Sequence, residues 1–349
     1  MARETLLDRL EKEAPKVSRA FAVAINKRLR TINLNTLTDA LERGDIGAVF
    51  ELLDLSAGHF SNLAIALTAT YAAGGEFGHR EIERQAVKAK FPIPVPEFNV
   101  QHPRARAWLE QQSSRLVREV TEGQRDAIRT AIAWHFDNNV SGRAAALDIV
   151  GRINKVTKRR EGGIIGLTDA QSKWANNAKD ELKGGPGDLR KYLQRERRDK
   201  RFDPIVKKAI KEKTPLSPAK VNQIAGRYKV RLLEFRGKMV ARQETMSALQ
   251  ASKNEGLDQL IGSGMVQTQD VIRTWDAAAD MDTRPHHAVM DGQRRIQGEP
   301  FISGIGGLLL YPTDTSLGAT AADVINCRCL VHESINFINA TARRQGVIV

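Results

Sequence analysis

The chain has 349 residues, of which 41% are hydrophobic and 27% are charged, and its formal net charge is +13. A chain of this length can bury a large core and is expected to fold as more than one domain. The hydrophobic content excludes a wholly disordered protein, and an aromatic content of only 5% favours long helices over a sheet-rich architecture.

The amino-terminal residues do not resemble a secretory signal peptide, because no apolar core follows the basic start Met1-Ala2-Arg3. The most apolar run, FSNLAIALTATYAA at 60–73, is too short for a membrane span and is interrupted by polar residues. These two observations predict a soluble protein that is made in a cytoplasm and has no membrane partner.

Helical periodicity dominates the beginning of the chain. Apolar residues recur at helical spacing through residues 1–90, which predicts a helical amino-terminal region. The next segment, 91–104, contains the sequence FPIPVPEFNVQHP. Proline at this density excludes a helix, so the segment is predicted to be an extended linker or arm, with helical pattern resuming near Ala105.

Residues 105–238 are predicted to form a basic helical region. One helix is expected to start at Ser217-Pro218, with serine as its cap and proline at its first position, and to run past Ala248. Charge is concentrated here, because residues 151–240 hold 25 Lys and Arg against 10 Asp and Glu. Such a block attracts phosphate backbones without sequence preference, although solvated helix faces or an acidic protein partner would use the same charges.

Two stretches are densest in basic residues, KVTKRR at 155–160 and KYLQRERRDKR at 191–201. Neither shows the interleaved aromatic residues of a base-stacking platform, and no zinc-finger spacing is visible. Non-specific contact with double-stranded DNA is therefore predicted for the basic side chains of these stretches, which are Lys155, Lys158, Arg159, Arg160, Lys191, Arg195, Arg197, Arg198, Lys200 and Arg201.

The pattern changes after about residue 264, where glycines and short apolar runs replace the helical spacing. Residues 308–311 and 324–331 are predicted to be strands bounded by turns. The predicted fold class is therefore mainly α. A long helical amino-terminal and central region precedes a small α+β module at 239–335, and a carboxy-terminal tail follows at 336–349.

Both cysteines of the chain lie in one short stretch, INCRC at 325–329. In a regular strand Cys327 and Cys329 would face one side, and Arg328 the other. A disulfide between residues two apart is strained, which leaves buried packing residues, zinc ligands or a nucleophile as interpretations. A zinc site would combine the two thiolates with an upstream histidine and His332.

Six short motifs follow one another within residues 239–331. They are ARQETMSAL at 241–249, IRTW at 272–275, DTRPHHAVMDGQ at 282–293, EPF at 299–301, LLYPTD at 309–314 and AADVINCRC at 321–329. In this order they resemble the phage Mu F-type head morphogenesis family, also called minor head or minor capsid proteins. Gln243 departs from the family's usual threonine, and Arg284 and His287 stand where many relatives carry a Cys-x-x-Cys pair.

The resemblance implies a low-copy component of a tailed-phage virion, located in the head interior or at the portal vertex and made in the host bacterial cytoplasm. Its expected partners are the portal protein, the major capsid or scaffolding protein, and double-stranded DNA during head assembly, packaging or ejection. The residues of the structural module motif are Arg242, Glu244, Trp275, Asp282, His287, Asp291, Gly292, Asn326, Cys327, Arg328 and Cys329.

Most of these motif residues are predicted to hold the fold rather than to catalyse a reaction. Asp291-Gly292 is expected to form a turn that re-aims the chain into a strand. Arg242 is expected to form a buried pair with Asp282 or Asp291. No paired-carboxylate metal motif is visible, so no enzyme is predicted.

An alternative function class stays open for the module. A nuclease-like module acting on nucleic acid would use His287 and Arg242, with or without zinc. A zinc-stabilised module without catalysis would hold its metal at His287, Cys327, Cys329 and His332.

Overall fold

The computed structural model describes residues 4–29, 31–54 and 57–347, and most of these residues are helical. Parts of the predicted amino-terminal region (1–3, 30 and 55–56) and of the predicted tail (348–349) lie outside the described residues. The chain forms two units. The first contains Met1–Ser18, Ala64–Ser113 and Met239–Val349, and the second contains Arg19–Leu63 and Ser114–Lys238.

Helices dominate the first three quarters of the chain, and most strands lie after residue 270. The helices are α1 (Leu6–Leu29), α2 (Leu34–Glu42), α3 (Ile46–Leu53), α4 (Ser61–Lys88), α5 (Pro103–Asp137), α6 (Gly142–Val150), α7 (Asp169–Lys183), α8 (Pro186–Gln194), α9 (Asp203–Glu212), α10 (Pro218–Gly262), α11 (Pro285–Ala288), α12 (Ala321–Val324) and α13 (Phe337–Arg344). The strands are β1 (Arg152–Ile153), β2 (Arg160–Glu161), β3 (Val271–Asp276), β4 (Arg294–Ile296), β5 (Phe301–Ile302), β6 (Leu308–Leu309) and β7 (Leu330–Ile335).

The long helix α10 begins where the sequence predicts. Pro218 is its first residue, and the Ser217 hydroxyl accepts a hydrogen bond from the backbone N–H of Lys220 at 3.4 Å. Proline fits this position because the first backbone N–H groups of a helix have no partner within it. The helix continues to Gly262, well past Ala248, as predicted.

The second unit is helical, with one two-stranded hairpin. Its core contains apolar side chains of α5, α7, α8, α9 and α10, among them the fully buried Leu182, Tyr192 and Leu232. Strands β1 and β2 pair antiparallel, with Arg152 opposite Glu161. The hairpin ends against α10 at Gly162, which has a φ of +74° and where a Cβ would lie 2.7 Å from the carbonyl oxygen of Gly226. Only glycine fits this close approach.

The first unit contains the carboxy-terminal α+β module. Its sheet has the order β4-β3-β7, all antiparallel, with Trp275 opposite Val331. A separate hairpin pairs β5 with β6. The fold class predicted from the sequence, mainly α with a small α+β module near the carboxy terminus, is confirmed.

The proline-rich segment is non-helical through residue 102, and α5 begins at Pro103, slightly before the predicted resumption near Ala105. The segment packs within the first unit, where the ring centroids of Phe98 and Tyr71 lie 6.0 Å apart. The backbone N–H of Asn99 donates to the Gln259 side chain at 2.8 Å. Prolines prevent a helix here, while Phe98 and Asn99 anchor the segment.

The predicted strand at 324–331 is wrong over most of its length. Its first residue belongs to α12, which starts with a capping box between Thr320 and Asp323. Asn326 then has a φ of +56°, which a regular strand cannot contain. The strand β7 begins only at Leu330, and the predicted strand at 308–311 is reduced to β6.

Among the described residues, no helix combines the length and the apolar character that crossing a bilayer requires.

Candidate functional sites

The arginines predicted to bind DNA at 191–201 largely have acidic partners within the second unit. Arg195 pairs with Glu181 at 2.6 Å, Arg198 with Asp203 at 2.8 Å, and Arg201 with Asp199 at 2.6 Å. Side chains held in this way present less net charge to a ligand than free side chains would.

The other pairs of this stretch follow the same pattern. Lys191 pairs with Asp188 at 2.9 Å. Arg197 pairs with Glu196 at 3.0 Å, and its guanidinium carbon lies 3.9 Å from the ring centroid of Phe235. The densest basic stretch of the sequence is therefore partly neutralised by the fold.

Residues 155–159 of the other basic stretch form the exposed loop of the β1–β2 hairpin. Arg160 is the first residue of β2, is half-buried and donates to the carbonyl oxygen of Gly151 at 3.2 Å. The side-chain oxygen of Asn154 accepts hydrogen bonds from the backbone N–H groups of Val156 and Thr157, which shapes the turn. Lys155, Lys158 and Arg159 are exposed and have no acidic partner among the described residues. The hairpin loop therefore presents three unneutralised positive charges to solvent.

A concave surface of about 810 Å³ lies beside this hairpin, bounded by the turn at 200–202 and the first half of α10. Its basic lining residues, which define the basic groove, are Arg152, Lys155, Arg201 and Arg227. Glu161 is the acidic lining residue, and Arg227 lies 3.5 Å from it. Arg201 and Arg227 also pair with Asp199, so Arg152 and Lys155 are the basic lining residues without an acidic ion-pair partner among the described residues. Basic side chains together with the side-chain amides of the lining suit a phosphate backbone.

Arg152 and Arg227 were not among the residues predicted to contact DNA. Arg152 stands before the basic stretch, and Arg227 lies on α10, where the basic residues are spread along the helix rather than clustered. No local charge pattern singles them out, because the fold of the hairpin onto α10 brings them together.

In the first unit, three motif residues form a buried cysteine–histidine cluster, defined by His287, Cys327 and Cys329. Each cysteine Sγ lies 3.6 Å from His287 Nδ1. All three side chains are buried, and the sulfurs pack in one core with Trp275 and Phe301. The two cysteines thus face one side of their segment, as predicted, although that segment is not a strand.

The two thiols ionise differently because they share a hydrogen bond. The hydrogen bond from the Cys327 thiol lowers the pKa of Cys329 to about 5. The same hydrogen bond, together with burial, raises the pKa of Cys327.

His332 does not join this cluster, so the predicted four-residue zinc set is wrong in this chain. Its side chain is 66% exposed, and its Nε2 lies 2.9 Å from Asp276 Oδ2. His332 stands on β7, where it pairs across the sheet with Thr274. The side chain lies on the exposed side of the strand, which takes it away from the buried sulfurs.

The cluster lines a cavity of about 350 Å³ in the same unit. Arg242, Arg284 and Arg328 also line this space, which is named the arginine-lined cavity, and so do Asp282 and Asn326. Residues from three of the six motifs therefore meet around one space.

Arg242 does not form the predicted buried pair with Asp282 or Asp291. It is partly exposed and lies 3.2 Å from Glu11. Asp291 instead accepts the backbone N–H of Ala277 at 2.9 Å. The buried arginine of the module is Arg273, whose guanidinium donates to the carbonyl oxygens of Leu310, Ile296 and Glu299.

The remaining motif residues have structural contacts. The buried Glu244 carboxylate accepts a hydrogen bond from Gln112 Nε2 at 2.6 Å. Arg328 pairs with Asp280 at 2.6 Å. Gly292 has a φ of +73° in the turn that leads into β4, which confirms the predicted role of Asp291-Gly292.

No known family model, curated protein or solved structure matches this chain. The similarity of its six motifs to phage head proteins therefore stays a prediction from the motifs themselves. Among the described residues, the basic groove and the cysteine–histidine cluster are two features whose side chains are suited to bind a ligand.

Proposed function

We propose that this chain is a minor head protein of a tailed phage, which associates with the portal or the procapsid and contacts packaged DNA non-specifically. The observation that carries the proposal is the convergence of the six motifs on one module. Trp275, His287 and Cys329 come from different motifs and share one core. Residues of different motifs that contact one another in the fold support a common module rather than a chance similarity of short sequences.

The contacts of the charged motif residues support a structural role for most of them. Glu244, Asp291 and Arg328 are each held by a hydrogen bond or ion pair inside the first unit. Of these three, Glu244 is buried, and a buried polar group that is satisfied in this way specifies one arrangement of the surrounding chain. A module with this construction suits assembly with portal, capsid or scaffolding proteins.

The basic groove and the hairpin loop support contact with DNA. The unpaired charges of Lys155, Lys158 and Arg159 stand beside a concave basic surface. Phosphate contacts from lysine and arginine give affinity without sequence preference, which a protein near packaged DNA requires. A location in the head interior or at the portal vertex follows from this proposal.

Co-sedimentation tests the assembly proposal. The full chain is mixed with the portal protein, with procapsids that contain the portal, and with procapsids assembled without it, all from the same phage. We expect recovery at low copy with the portal and with portal-containing procapsids only. A chain that remains in the supernatant in all three mixtures would contradict the proposal.

DNA binding as a function of salt tests the hairpin loop beside the groove. Lys155, Lys158 and Arg159 are replaced together by alanine, and the control replaces the three exposed lysines of α9, Lys207, Lys208 and Lys211. Each neutralised phosphate contributes about 0.9 to the slope of log K against log salt, so the hairpin variant is expected to lose about 2–3 units of slope. The control removes the same charge and should keep the wild-type slope.

A second candidate is nuclease-like activity of the module, which one observation favours. His287 and Arg242, the two residues that this alternative requires, line the same cavity. DNA and RNA are incubated with wild type, with His287→Ala, and with His332→Ala as the control histidine. Cleavage that is lost only in His287→Ala would favour the enzyme over the assembly protein.

A further inference from the structure

The cysteine–histidine cluster has the donor set of a zinc site. Two thiols and one imidazole meet in a buried position, and their ligand atoms all lie within 4.8 Å of one another. Thiolate sulfur and imidazole nitrogen are the ligands that zinc prefers in proteins. Plain packing of small apolar residues would not require a histidine nitrogen between the two sulfurs.

The spacing of these atoms fits zinc. Tetrahedral zinc with bonds of about 2.3 Å to sulfur and about 2.0–2.1 Å to nitrogen places a sulfur and a nitrogen about 3.5–3.6 Å apart. Both cysteine sulfurs lie 3.6 Å from His287 Nδ1. Two edges of the coordination tetrahedron are therefore already formed by the fold.

A buried carboxylate lies near the cluster. His287 Nε2 and Asp323 Oδ1 are both buried without a hydrogen-bond partner. One ligand atom of Asp323 lies within 4.8 Å of one from each of His286 and His287. Histidines that bind metal through one nitrogen commonly orient the other toward a carboxylate. Asp323 Oδ1 lies 3.9 Å from His286 Nε2, so this carboxylate stands beside both histidines.

A fourth protein ligand is missing among the described residues. His332 pairs with Asp276 on the exposed face of β7. The Nε2 atom of His286 lies 3.2 Å from the carbonyl oxygen of Ala322. The cluster instead borders the arginine-lined cavity, which His287, Cys327 and Cys329 all line. Three protein ligands with one open position are the arrangement of zinc sites that take an exchangeable ligand.

We infer that His287, Cys327 and Cys329 bind one zinc ion whose fourth coordination position opens into the arginine-lined cavity and accepts a phosphate oxygen. Arg242, Arg284 and Arg328 line the cavity and carry the planar donor groups that recognise phosphate. Arg242 also pairs with Glu11 and Arg328 with Asp280, so their guanidinium donors, more than their net charge, suit a phosphate. Zinc binding at this cluster is independent of the assembly proposal, because it involves neither the portal nor the basic groove.

Metal content tests the ligand set. The full chain is purified without added metal, and zinc is measured per chain for wild type and for His287→Ala, Cys327→Ser and Cys329→Ser. The controls are His286→Ala and His332→Ala. We expect one zinc per chain in wild type and in both controls, and a loss of zinc in the three ligand variants. Equal loss in His332→Ala, or wild type without zinc, would overturn the ligand set.

Cobalt substitution keeps the test valid if a ligand variant fails to fold. The wild-type chain is stripped of metal and titrated with Co²⁺. We expect visible absorption of tetrahedral cobalt and sulfur-to-cobalt charge transfer that saturate at one equivalent. A spectrum of six-coordinate cobalt without charge transfer would contradict thiolate coordination.

Phosphate addition to the cobalt form tests the open position. Inorganic phosphate should shift the visible bands of the cobalt form. A short DNA duplex is then added with or without a 5′-phosphate. A shift of the bands that needs the 5′-phosphate would identify a nucleic-acid end as a ligand, in addition to free phosphate. Arg242→Gln should weaken the phosphate effect about tenfold, as expected for one charge-assisted hydrogen bond. The exposed Arg294 is the matched control as Arg294→Gln. Bands that phosphate leaves unchanged would contradict an open, phosphate-binding position.

Discussion

His135 Nε2 and Asp148 Oδ2 lie 2.9 Å apart in the buried interior of the second unit. The same carboxylate also holds the ammonium groups of Lys179 and Lys229. Asp148 therefore joins α5, α6, α7 and α10 through one buried charge. Burial by itself would raise the pKa of Asp148, but the two lysines and the hydrogen bond from His135 hold that pKa well below its ordinary value.

Stability should fall as the pH is lowered through the histidine range. Burial lowers the pKa of His135 below its ordinary value of 6.5. Between that lowered pKa and 6.5 the unfolded state binds more protons than the folded state, so the free energy of unfolding rises with pH. Chemical denaturation of wild type at pH 7.5 and pH 5.5 should show weaker stability at the lower pH. His135→Gln should reduce this difference, and an unchanged difference would contradict the assignment.

Removal of the buried Asp148 carboxylate should strongly lower the free energy of unfolding. Asp148→Ala leaves two buried ammonium groups without their partner, which is expected to cost about 3–5 kcal/mol of the free energy of unfolding. The exposed pair of Asp126 and Arg129 is the control, since Asp126→Ala should cost less than about 1 kcal/mol. Urea denaturation measures both. Similar losses in the two variants would show that Asp148 has no special role.

Two glycines that face Phe98 should respond in opposite directions to alanine. A Cβ on Gly75 would lie 2.1 Å from the Phe98 ring, so Gly75→Ala is expected to destabilise the first unit by about 1–3 kcal/mol. A Cβ on Gly256 would lie 3.7 Å from the same ring, an ordinary contact. Gly256→Ala should therefore stabilise α10 by up to about 1 kcal/mol through helix propensity. Thermal unfolding of both variants checks the sign.

Arg195 should matter more for stability than for DNA binding. Its guanidinium makes two hydrogen bonds to Glu181 and lies 5.6 Å from the ring centroid of Tyr228. Arg195→Ala removes a part-buried ion pair and its packing, which should cost about 1–3 kcal/mol. The salt slope of DNA binding should change by less than in the hairpin variant. If Arg195→Ala changed the salt slope of DNA binding more than the hairpin variant does, residues 191–201 would be the main DNA contact and this prediction would be wrong.

Predictions from the sequence are most accurate for features that a few neighbouring residues determine, such as helix starts and turns. The start of α10 follows from Ser217 and Pro218, and the turn at Gly292 follows from an Asp-Gly pair. The strand prediction at 324–331 failed because the capping box of Thr320 and Asp323 competes with the apolar alternation. The short helix α12 and the left-handed backbone conformation of Asn326 interrupt the extended backbone that a strand at 324–331 would need.

Local patterns in the amino-acid sequence establish the helical class, the position of the charge surplus and the placement of both cysteines in one short stretch. Three-dimensional structure sets which charges are neutralised, because the pairs depend on how the chain turns: Arg195 reaches Glu181 across 14 residues, and Arg198 reaches Asp203 across 5. Packing also brings His287 and not His332 to the sulfurs, across separations of 40 and 42 residues. Spacing along a chain sets which side chains share a face of one element, but contacts between elements set which faces meet.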